Sequence, residues 1–187
     1  MPLGAARFGL SGADLGKLEL IETKTISGTV AQVDFTSIKE STYNVHLLML
    51  SNMLTETDNK RVSLRLFESG SIETASVYQN ANFVLEAGGS SADVRSTGIS
   101  DIRITDNTGN DTGESSNTYV YLYNLGDSSK YSFTTCQSSA ITGSAVGVAE
   151  FGSAVLPQTS TVDGIRILGS GAINLTGGTM SLYGIKE

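Results

Sequence analysis

The sequence predicts an all-β protein, an antiparallel β-sandwich of jelly-roll-like type with about ten strands. Three observations carry that prediction. Apolar and polar residues alternate over stretches of about 5–9 residues, the period and length of half-buried strands. Runs that tolerate positive φ or close Asx-type turns separate them: ESGS, AGGSS, DNTGNDTGE, LGDSSK, LPQTS and LGSGA. No stretch sustains helical amphipathicity beyond a turn or two, and no βαβ alternation is present.

Residues 1–16, MPLGAARFGLSGADLG, show neither period and read as an extended N-terminal arm. Leu3, Phe8, Leu10 and Leu15 are its apolar residues. The arm is either an ordinary disordered terminus or an anchor whose apolar side chains dock on a neighbouring subunit.

Residues 17–187 read as one domain, which suits a length of 187 residues. KLELIETKT at 17–25 is the first strand. In TVAQVDF at 29–35, Ala31, Val33 and Phe35 face one way, with Gln32 and Asp34 opposite. STYNVHLLML at 41–50 is apolar on both faces and is expected to be a central strand covered on both sides. RVSLRLFE at 61–68 turns Val62, Leu64 and Leu66 inward and is expected to form a hairpin with the strand before it. Further strands are expected at 74–86, 99–105, 117–125, 130–136, 147–156, 162–168 and 179–185. NTYVYLYNL holds a stripe, because period-2 spacing puts Tyr119, Tyr121 and Tyr123 on one face, opposite Thr118, Val120 and Leu122. Tyr131 and Phe133 extend it. A core face, a subunit interface and a platform for sugar rings all fit such a stripe.

A net charge of -7 argues against nucleic acid as a partner, since phosphate backbones require clustered Lys and Arg. No apolar run approaches a membrane span, and the first residues do not resemble a secretion signal. The chain is therefore expected to be neither membrane-spanning nor exported by a signal peptide.

Catalysis is not expected. One His and one Cys stand far apart in a chain without Trp, and the nucleophile-elbow, zinc-protease and phosphate-loop motifs are missing. His46 reads as a pH-sensitive or metal-binding group, or as a buried histidine hydrogen-bonded to a neighbour. Cys136 reads as a small buried hydrophobe. Asp106, Asn110, Asp111 and Glu114 offer hard oxygen ligands for calcium, although the same loop is ordinary hairpin chemistry and departs from the EF-hand pattern. No cofactor or metal is expected.

The arm MPLGAARFGLSG with GKLELIETKT, then VDFTSI, STYNVHLL, DNKRVSLRLFESG, NTYVYLYNLGDSSKYSFTT, VDGIRIL and SLYGIKE resemble a family of small virion structural proteins of tailed bacteriophages. Many members come from phages of marine and cyanobacterial hosts. The resemblance covers nearly the whole chain, least around 86–115, and rests on strand patterns and turns. It implies a jelly-roll-type fold and a head-decoration or tail-fibre-like role, with no active residues to carry over. The expectation is a non-catalytic capsid decoration or cement protein, made in the host cytoplasm and located in the virion. It would assemble as a homo-oligomer, expected as a trimer, and contact the major capsid protein through residues 3–15. A tail adaptor or fibre module and a host-glycan-binding β-sandwich are the alternatives.

Overall fold

The computed structural model describes residues 17–186, and all of its regular structure is strand. In chain order the strands are β1 (Lys17–Thr25), β2 (Gln32–Phe35), β3 (Val45–Thr55), β4 (Val62–Glu68), β5 (Ser71–Ile72), β6 (Tyr78–Glu86) and β7 (Ser91–Ile99). There follow β8 (Ile102–Arg103), β9 (Ser116–Tyr123), β10 (Ser132–Ile141), β11 (Gly147–Leu156), β12 (Val162–Gly169) and β13 (Leu175–Lys186). They form two antiparallel sheets, one of eight strands in the order β1-β13-β3-β9-β10-β11-β6-β7, the other β2-β12-β4-β5 with β8 also paired to β4. Within this array, β1-β13-β3-β9 facing β2-β12-β4-β5 has the strand order of a jelly roll. The remaining strands β10, β11, β6 and β7 widen the first sheet beyond β9.

The two layers close because each strand delivers one apolar face. Leu48 and Leu50 of β3, Val120 and Leu122 of β9 and Leu182 of β13 meet Leu64 and Leu66 of β4 and Ile165 and Ile167 of β12, all buried. Each such side chain contributes about 1.5–3 kcal/mol relative to exposure. Phe35 closes the layer from β2. Tyr43 lies against Gly184 of β13, where a Cβ would fall 2.2 Å from its ring. Its hydroxyl donates to Glu19 Oε2 at 2.5 Å and so fastens the edge strand β1.

The widened part is joined to the second sheet by charge. Arg103 of β8 reaches Glu150 of β11, Nε to Oε1 at 2.7 Å, and also pairs with Asp106. Asn82 Nδ2 of β6 donates to the same Glu150 oxygen at 2.6 Å. Glu150 is fully buried.

Three strand expectations are corrected. β3 and β4 form no hairpin, since β3 pairs with β13 and β9 while β4 crosses to the other sheet and pairs with β12. Both turn apolar residues into the same interlayer, so they face each other, and alternation alone reads the same either way. β3 is not covered on both sides: among the described residues no layer lies over its outer face, and Met49 is left exposed there. Finally, the strands number thirteen. β7 was not expected because SADVRSTGI is mostly polar, and it is a sheet edge that turns only Val94 and Ile99 against apolar neighbours.

Candidate functional site

The outer face of the eight-stranded sheet is where the molecule departs from an ordinary soluble surface. Register places Leu18, Ile185, Val45, Tyr123, Phe133 and Val155 side by side on six consecutive strands. The next row runs Leu20, Tyr183, Leu47 and Tyr121. A third holds Met49, Tyr119, Gln137, Phe151 and Phe83. Among the described residues every exposed large hydrophobic side chain except Tyr131 lies on this face, at 42% to 57% exposure.

Alternation explains how the face arises. β9 buries Thr118, Val120 and Leu122 inward, which forces Tyr119, Tyr121 and Tyr123 outward. The core reading of the tyrosine stripe is thereby excluded. Tyr119 and Tyr121 meet edge-on at 6.1 Å, Tyr121 and Tyr123 stack at 6.4 Å, and Phe83 and Phe151 approach at 5.8 Å. The Tyr119 hydroxyl donates to Gln137 Oε1 at 2.6 Å, which holds its ring along the sheet. Small residues at Ala81 and Ser153 leave a depression of about 460 Å³ beside Phe133, Val155 and Arg95. Of the charged residues, register puts only Asp93 and Arg95 in these rows, and they neutralise each other at 2.5 Å.

The other candidates are engaged internally. His46 is fully buried, facing inward as Leu48 does, with Nε2 donating to the Ile38 carbonyl at 2.8 Å; burial holds its pKa below the usual histidine range. Burial, and then Glu150, push the Cys136 thiol up to about 12. In the loop at 106–114, Asp106 pairs with Arg103, Glu114 accepts from the Asp111 N–H at 3.0 Å, and Asn110 donates to the Glu56 carbonyl at 3.0 Å. These groups therefore diverge. Among the described residues no group of three or more His, Cys, Asp or Glu side chains converges as a metal site, and no helix is long and apolar enough to cross a membrane.

One pair of carboxylates lies together. Glu68 is raised chiefly by burial, with the neighbouring Glu73 adding to the rise, while Glu73 is lowered first by the backbone N–H of Ala75. Glu68 accepts from the Ser160 hydroxyl and Glu73 from the Ala75 N–H at 2.6 Å, so both carboxylates are engaged by neighbouring donors.

The arm residues Leu3, Phe8, Leu10 and Leu15 lie outside the described residues. Sequence pattern had found the tyrosines but not Leu18, Leu20, Met49, Phe151 or Tyr183 as their neighbours, because these come from strands far apart in the chain. Together they define a jelly-roll-like β-sandwich whose nearly chargeless aromatic face is covered by no other layer among the described residues. Comparison with protein families, curated proteins and solved structures finds no match to the chain.

Proposed function

We propose that this chain is a non-catalytic structural protein of a tailed-phage virion, a capsid decoration or cement protein that assembles as an oligomer on the particle. The observation that carries the reading is the outer face of the eight-stranded sheet. A contiguous apolar patch of this size on a soluble domain marks a place where another surface sits, and its Tyr, Phe and Met content with charge pushed aside is that of protein interfaces. The resemblance to small virion structural proteins supports the same role, and the jelly-roll order adds a fold-level analogy to capsid domains. In this reading Leu3, Phe8, Leu10 and Leu15 attach the protein to the major capsid protein, while the sandwich provides the body.

The test is incorporation. Phe8→Asp with Leu10→Asp should leave the sandwich folded and remove the protein from purified particles of the phage that encodes it. Full incorporation of that variant would sink the anchor. Antibody labelling of intact particles then separates head from tail; label on the tail moves the role to an adaptor or fibre module.

A second reading has its own observation. Tyr119 is exposed beside a depression of about 270 Å³ bordered by Asn117, Gln137 and Ser139, a combination of ring face and amide that suits a sugar. Host-glycan binding on an array, lost in Tyr119→Ala with the fold retained, would favour recognition over assembly.

A further inference from the structure

We infer that the outer face of the eight-stranded sheet is a self-association surface, covered by the same face of a second copy. The inference rests on reading the chain as an assembly protein and names the partner of that face. Charge selects the occupant first. Each copy carries -7 net, so two copies repel over most of their surfaces and can approach closely only where charge is missing. The rows through Tyr123, Phe133 and Phe151 are that place, since Asp93 and Arg95 cancel at their far edge. A strongly cationic partner would gain nothing from a neutral face and would seat elsewhere on this acidic surface.

Area agrees. With the row Asn117, Ser139, Ala149 and Leu85 added to the three above, eight strands about 4.8 Å apart and four rows about 6.6 Å apart span roughly 34 by 20 Å, or about 700 Å². A specific interface takes about 800 Å² from each partner. Shape can add specificity, because the face holds both a depression beside Phe133 and the exposed Phe151 ring that a second copy could seat in it. Knob and hollow on one surface are what like-to-like packing requires.

The experiment uses the purified full-length chain without particles, so virion placement and self-association can fail separately. Light scattering should give an even multiple of 19.6 kDa, because a same-face contact joins copies in pairs. Phe133→Lys with Phe151→Lys should weaken association at least about 100-fold and return a folded monomer by circular dichroism. A wild-type monomer, or a lysine variant of unchanged mass, overturns the inference. Nitration of Tyr119 in the wild type provides a readout independent of any substitution. Protection that grows with protein concentration is expected; protection independent of concentration would assign the face to the chain's own N-terminal segment, and uniform reactivity would leave it uncovered, either of which overturns it.

Discussion

Replacing Arg103 with Met removes the cation between the two sheets and leaves Glu150, fully buried, with the Asn82 amide as its hydrogen-bond donor, while Asp106 loses its guanidinium. Removing one partner of a buried ion pair costs about 3–5 kcal/mol, because the other charge stays desolvated. For a domain of this size about 2–4 °C is lost per kcal/mol, so Tm should fall by roughly 6–20 °C. The pH dependence follows from Glu150. Burial raises its pKa, and Arg103 and Asn82 oppose that rise. Without Arg103 the folded pKa climbs further above the unfolded value, so the native state holds a proton that the unfolded chain releases. Stability of Arg103→Met is therefore lost as pH rises from the unfolded carboxyl value of about 4.3 through the folded one, and its deficit should be larger near pH 7.5 than near pH 5. Urea unfolding of wild type and variant at both pH values, at one fixed protein concentration, measures this. Adding Glu150→Gln to the variant should recover stability near pH 7.5 and flatten the pH profile. A loss below about 1 kcal/mol, the worth of an exposed pair, or equal deficits at the two pH values would refute the reasoning.

Four further outcomes are expected. Leu122→Ala empties the fully buried interlayer and should cost about 2–5 kcal/mol in urea unfolding. Gly184→Ala drives a methyl into the Tyr43 ring and should cost about 1–3 kcal/mol, with faster amide exchange along β1 as the Tyr43–Glu19 bond is displaced. Cys136 should stay silent to a thiol reagent near pH 8 in the native protein and react once urea unfolds it, because burial lifts its pKa to about 12. His46 should titrate by NMR below its ordinary value of about 6.5; since the unfolded chain takes up that proton more readily, stability should decline as pH falls through about 6.5.

What the sequence disclosed follows from contrast. Where Val62, Leu64 and Leu66 alternate with Ser63 and Arg65, strand and facing are plain. The limits of β1 and β11 are equally plain, coinciding with KLELIETKT and GVAEFGSAVL, but their facing is not, since β1 turns Leu18 and Leu20 outward and β11 buries Glu150 while exposing Phe151. Contrast fades in β10, where the inward residues Ser132, Thr134 and Ser138 are small and polar, and the expected strand stopped at Cys136, five residues before Ile141. In β7 it vanishes. Facing of the tyrosines was legible, but whether the opposite side would be covered was not, because that depends on β4 and β12 lying only over the inner side. The Arg103–Glu150 pair left no local signal at all, since β8 and β11 are brought together by topology alone.

The pairing of β1 with β13 also sets how the domain bears a load. Lys17 stands opposite Lys186, so the two ends of the described chain leave from one corner of the sheet. A pull that separates those ends acts along the inter-strand hydrogen bonds and strains them one after another from that corner, as a zipper opens. A pull carried from β1 to a body gripped by its broad face would instead load the whole β1–β13 ladder in parallel. A domain held by that face and tugged through its leading segment is thus braced in its stronger direction.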